Sequence, residues 1–126
     1  MISAKIAALL WVFLGGGLGA SARFLLGEWL RPVLKSSFPW PTLAINVIGC
    51  AVAGLLAARF GLSNPEHPWR AFVLVGVLGG FTTFSAFGLE SLALVQQGRI
   101  LLATMYVLAS VLGGLLAVWL GFALWR

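Results

Sequence analysis

The sequence is poor in the residues that most enzymes work with. Its 126 positions hold three carboxylates (Glu28, Glu66 and Glu90), one histidine and one cysteine. No carboxylate or histidine stands in the middle of an apolar run, which leaves no proton relay across a membrane. His67 lies in a loop between prolines and reads as a solvated side chain. No spacing of His, Cys, Asp or Glu suits a metal site, and no nucleophile has a base beside it, so the pattern argues against an enzyme. Cys50 is alone, cannot form an intrachain disulfide, and reads as a small packing residue. The eight Lys and Arg residues give a net charge of +5. They form no run and no interleaved aromatic platform, which argues against nucleic acid.

Charge of either sign is scarce. Only 9% of the chain is charged, 61% is hydrophobic, and the mean hydropathy is +1.06. A soluble domain of this size needs far more polar surface. The charge-free runs are 6–22, 36–58, 71–89 and 100–125. At about 1.5 Å per residue, about 20 helical residues cross a hydrocarbon core of about 30 Å. None of the runs shows the alternating polarity of a membrane strand. The reading is an all-α membrane protein, one four-helix transmembrane domain over 1–126, with helices at about 5–30, 41–60, 70–95 and 99–124. Ala20-Ser21-Ala22 is formally a signal-peptidase site, but the helical pattern continues past it. Most tryptophans fall near predicted span ends, as an interfacial belt requires.

The loops add punctuation and a charge pattern. Ser36 to Pro41 should break the chain before the second helix, and Ser63 to Pro68 before the third, since each proline disfavours helix in the residue before it. Gln96-Gln97-Gly98 reads as a tight turn that makes the last two helices antiparallel neighbours. Four spans place Lys5, Arg59, Arg70 and Arg126 on one side of the membrane. Arg31, Lys35 and Arg99 fall on the other, with Arg23 deeper near the end of the first helix. Orientation normally follows an excess of Lys and Arg on the cytoplasmic side, and here there is almost none. Two explanations stand: insertion in both orientations, with opposite copies pairing about an in-plane two-fold axis, or a fixed orientation set by a weak bias.

What the apolar spans do hold is small residues and neutral donors. Gly15 and Gly19, Gly49 and Ala53, Gly76 and Gly80, and Gly113, Ala117 and Gly121 recur four apart, which lets helix backbones approach closely in lipid. Asn46 stands in the second span, Thr82, Thr83 and Ser85 in the third, and Tyr106 and Ser110 four apart in the fourth, with Thr104 nearby. One reading of these is interhelical glue. Donors on three helices with no opposing carboxylate also suit a small anion that passes through. In "GGFTTFSAF", residues 79–87, the phenylalanines recur every three positions. An aromatic ring has a positive edge that attracts anions. Gly79 and Gly80 weaken the helix there, and a break would free backbone carbonyls, which make a natural cation site.

These residues resemble the Fluc family of fluoride channels. The likeness rests on "GGGLGASARF" with Arg23, "PTLAINVIG" with Asn46, "GGFTTFSAFGLE" with Phe84, Phe87 and Glu90, and Tyr106 with Ser110. It covers essentially the whole chain. The resemblance implies a dual-topology antiparallel homodimer, with a break in the third helix and two fluoride pores along the subunit interface. It implies a passive channel that lets fluoride leave the cytoplasm, in the plasma (inner) membrane of a prokaryote. By the same likeness Asn46, Thr83, Ser85 and Ser110 would be donors on the path, with Tyr106 beside them. Phe84 and Phe87 would offer ring edges, and Arg23 would draw anions in. The carbonyls of Gly79 and Thr82, two from each subunit, would hold a structural Na+ on the two-fold axis. The family's hydroxyl track along the fourth helix falls here on Gly114 and Val118, a departure at its far end. A rival, a proton-coupled four-helix multidrug exporter, needs a mid-membrane carboxylate in the first helix, and Glu28 is too near the end. A structural subunit without transport would leave the mid-membrane donors without a purpose.

Overall fold

The computed structural model describes residues 1–61 and 67–126. Among these residues every regular element is helical, and four helical spans are long and apolar enough to cross a membrane. The chain is a multi-pass membrane protein. The elements are α1 (Ile2–Val33), α2 (Trp40–Phe60), α3 (Arg70–Leu78), α4 (Gly79–Phe81), α5 (Phe84–Gln96) and α6 (Ile100–Trp125). The third span consists of α3, α4 and α5.

Helix α1 is longer than the sequence reading, starting at Ile2 and running through Pro32 to Val33. Its 32 residues reach about 48 Å, well beyond the hydrocarbon thickness. The extra length carries an ion pair, Glu28 with Arg31 at 2.7 Å, out toward water. Helix α2 starts with Pro41 in its first turn, where a missing N–H costs nothing. The expected break at Ser63 to Pro68 falls on residues 63–66 for the most part, which lie outside the described residues. The turn after α5 has the form anticipated for an antiparallel connection. Gly98 takes φ +74° and the Arg99 N–H closes on the Leu94 carbonyl at 2.9 Å.

Two parallel helix pairs form the bundle, each seated on glycine. Against the third span, α1 packs so closely that a Cβ on Gly15 would strike the Phe72 carbonyl, and one on Gly19 the Val77 carbonyl. Between α2 and α6, Gly54 lies against the Val118 carbonyl and Gly121 against the Ala51 carbonyl. Lipid gives no hydrophobic drive for helices to associate, so this backbone-to-backbone approach is what dispersion forces act on.

The third span is irregular in two ways. α3 is wound as a π-helix, so that the Gly79 N–H reaches the Leu74 carbonyl five residues back. Further on, Thr82 (φ −79°, ψ 155°) and Thr83 (φ −147°, ψ 118°) are extended between α4 and α5. The sequence reading put the weak point at Gly79 and Gly80, and that position needs correcting. Gly79 has helical dihedrals (φ −64°, ψ −37°), and Gly80 lies within α4. Gly80 serves close packing instead: a Cβ there would run into the Gly16 carbonyl and the Ala20 nitrogen.

Candidate ion pathway

The polar side chains converge on the extended pair. Asn46, projecting from α2, meets Thr83 with both ends of its carboxamide. Its Oδ1 accepts the Thr83 N–H at 2.8 Å, and its Nδ2 donates to the Thr83 carbonyl at 3.0 Å. One amide proton of Asn46 is thereby committed to backbone. The Thr83 hydroxyl caps α5 by accepting the Ala86 N–H at 3.2 Å, and lies 3.3 Å from Ser85 Oγ. The Thr82 hydroxyl turns back to the Leu78 carbonyl at 2.8 Å. From α1, Arg23 Nε donates to the Gly80 carbonyl at 3.0 Å.

Two clefts open on either side of this knot, and Thr83 lines both. The larger, about 690 Å³, is rimmed by Arg23, Arg31 and Lys35, with Glu28 and Glu90 as its acidic members. Its three cations outnumber its two carboxylates, one of which, Glu28, is paired with Arg31. The smaller cleft, about 380 Å³, has no charged residue in its lining. Asn46, Thr82, Thr83 and Ser110 supply its polarity, and Phe84 and Phe87 its aromatic wall. Ser110 Oγ is shielded from solvent and has no hydrogen-bond partner. A buried hydroxyl without a partner carries an uncompensated desolvation cost, which a ligand entering the cleft would relieve.

The aromatic residues form a continuous row. Phe84 and Phe87 have ring centroids 5.4 Å apart, and Phe87 and Tyr106 5.2 Å. Phe38 meets Tyr106 edge to face at 5.5 Å. Phe84 is 84% exposed, so its edge is open to whatever covers this surface.

Of the residues singled out in the sequence, Asn46, Thr83, Phe84, Phe87 and Ser110 share the smaller cleft, while Arg23 stands in the larger. Ser85 touches Thr83 but lines neither cleft. Tyr106 lines neither and is fully buried, because its hydroxyl turns inward to donate to Glu90 Oε2 at 2.7 Å. The hydroxyl of Thr104 bonds back to the Ile100 carbonyl of its own helix. Sequence reasoning missed Thr42, which is buried and donates to Glu90 Oε1 at 2.7 Å. Its signal was its place one turn before Asn46 on the same face of α2. Glu90, which the sequence marks as one of three carboxylates and as part of a motif, gathers donors from two other spans. Glu28, the carboxylate the exporter reading needed, is held by Arg31 near the helix end. Among the described residues, no group of His, Cys, Asp or Glu could hold a metal ion. Two backbone carbonyls leave the helix ladder near this point. The Gly79 carbonyl loses its helical partner when the Thr83 N–H turns to Asn46, and Thr82 is extended, so its carbonyl leaves the helix direction.

Residues 10–122 match the family model described as "CrcB-like protein, Camphor Resistance (CrcB)". The chain is 46% identical over 117 residues to a protein of Methylobacillus flagellatus, covering 90% of each. It is 44% identical over 121 residues to one of Novosphingobium aromaticivorans, covering 94% of this chain and 96% of the relative. It is 43% identical over 121 residues to one of Pseudomonas fluorescens, covering 94% and 97%. Each of these relatives carries the name fluoride-specific ion channel FluC. The family is one of transporters rather than enzymes.

Proposed function

Because the chain belongs to the CrcB-like family, we propose that it is a passive, fluoride-selective channel through which cytoplasmic fluoride leaves the cell. The observation that carries this reading is the uncharged cleft in which Asn46, Thr83 and the orphaned Ser110 hydroxyl face Phe84 and Phe87. Neutral donors favour an anion without holding it as a fixed cation would. Fluoride, the smallest halide, gives up a tight hydration shell on entry. Short hydroxyl and amide contacts are what can replace that shell. Ring edges add weaker attraction along the walls. A larger anion gains less from each contact in the same space.

The basic cleft supplies the entrance. Arg23, Arg31 and Lys35 raise the local anion concentration, and Thr83 joins this cleft to the neutral one. Neutral HF crosses membranes and dissociates in the more alkaline cytoplasm, which traps the ion. An inside-negative potential drives it out again with about 2.3 kcal/mol per charge per 100 mV. No proton-coupling group is required for that.

The working unit is an antiparallel homodimer with two pores, in the plasma (inner) membrane of a prokaryote. The near balance of Lys and Arg between the two sides supports dual insertion. The exposure of Phe84 beside the cleft supports a second copy closing it. The Gly79 and Thr82 carbonyls fit a hard cation, since their oxygens are released from the helix ladder and neutral oxygen is the donor such ions take. Four of them, two from each copy, would hold a structural Na+ that fastens the subunits together.

The test is ion efflux from liposomes loaded with potassium fluoride or potassium chloride and containing the pure protein. Rapid fluoride release with little chloride release is expected. Comparable release of both would overturn selectivity, and no release of either would overturn transport.

A further inference from the structure

We propose that Asn46 is a positioning residue, whose carboxamide holds Thr83 extended and so keeps the Gly79 carbonyl available to a cation. In an unbroken helix the Thr83 N–H would bond to the Gly79 carbonyl four residues back. Asn46 Oδ1 takes that N–H at 2.8 Å, while Nδ2 satisfies the Thr83 carbonyl at 3.0 Å. A primary amide pairs here with both backbone groups of one extended residue, as a neighbouring strand would. The pairing matters because the bilayer offers no water to an unpaired backbone group. Without it, the cheapest way to satisfy the Thr83 N–H is to close the helix onto Gly79, and the freed carbonyl is lost.

The surroundings fit this role. Gly49 lies three residues after Asn46 on α2, and a Cβ there would strike the Thr82 Cγ2 methyl. Only glycine lets α2 come near enough for the short Asn46 side chain to reach. Arg23 engages the Gly80 carbonyl from α1, so the next carbonyl along is also kept from the ladder. Thr83 is the residue common to both clefts, so the same clamp fixes the junction of the anion path. The cation site and the anion path therefore share one side chain. This inference rests on the proposed sodium site.

The experiment is the thermal stability of the purified dimer in detergent, measured in NaCl and in N-methyl-D-glucamine chloride. A ligand that binds only the folded dimer raises its midpoint by several degrees at saturating concentration. The wild type should show that rise with sodium. Asn46→Ala should lose it. Gly49→Ala keeps the carboxamide but displaces Thr82, and should lose it too. Should Asn46→Ala yield no dimer, the sodium response of Gly49→Ala decides by the same outcomes. A sodium-dependent rise that persists in these variants would overturn the inference and leave Asn46 as an ion donor only. A wild type indifferent to sodium would overturn the inference together with the sodium site, while fluoride efflux would still stand or fall on its own.

Discussion

Removing the Tyr106 hydroxyl measures what holds Glu90 inside the bundle. Tyr106 is fully buried, and its O–H donates to Glu90 Oε2 at 2.7 Å. Thr42 donates to the other carboxylate oxygen, also at 2.7 Å. These two bonds tie α2, α5 and α6 through one side chain. Hydrogen bonds to charged groups contribute about 1.5–3 kcal/mol each, where neutral ones contribute about 1. Tyr106→Phe keeps the ring against Phe87 and Phe38, so little packing changes. The variant should therefore lose about 1.5–3 kcal/mol, a factor of about 10–150 in the unfolding equilibrium. The assay is equilibrium unfolding in mixed SDS micelles, run as a double-mutant cycle with Glu90→Gln. The two changes should be strongly non-additive, because they report on a shared bond. Additive losses, or a Tyr106→Phe variant within 0.3 kcal/mol (about the error of such cycles) of wild type, would refute the reasoning.

Two other predictions concern the pathway and the topology. Phe84→Ile and Phe87→Ile should cut fluoride efflux while the dimer survives on size exclusion, since an aliphatic side chain has bulk but no positive edge; unchanged efflux in both would remove the rings from the mechanism. A reporter fused after Arg126 should appear on both sides of the membrane, and a one-sided result would end the dual-insertion reading.

The spans were legible in the sequence because a bilayer imposes length and apolarity on each helix, and nothing else in 126 residues can supply four such runs. The donors were legible for the converse reason: Asn46, Thr83 and Ser110 are costly in an apolar span, so each stood out. Their partners were harder to read. The inward turn of the Tyr106 hydroxyl depends on how α6 is rotated against α5, which a spacing of four residues does not fix. Thr42 drew no notice in the sequence because its acceptor lies 48 positions away. Gly79 and Gly80 were read from helix propensity, yet in lipid the more pressing use of Gly80 is the contact with α1. The extended pair sits at Thr82 and Thr83 because that is where Asn46 can reach, a fact of tertiary structure alone.

The most direct measurement of selectivity is the reversal potential of current through the reconstituted protein in a planar bilayer. With fluoride at different concentrations on the two sides and chloride equal, the current should reverse at the fluoride equilibrium potential, shifting about 59 mV per tenfold fluoride ratio. A reversal potential that stays near zero under the fluoride gradient, or that moves as far when chloride is varied instead, would contradict a fluoride-selective pore.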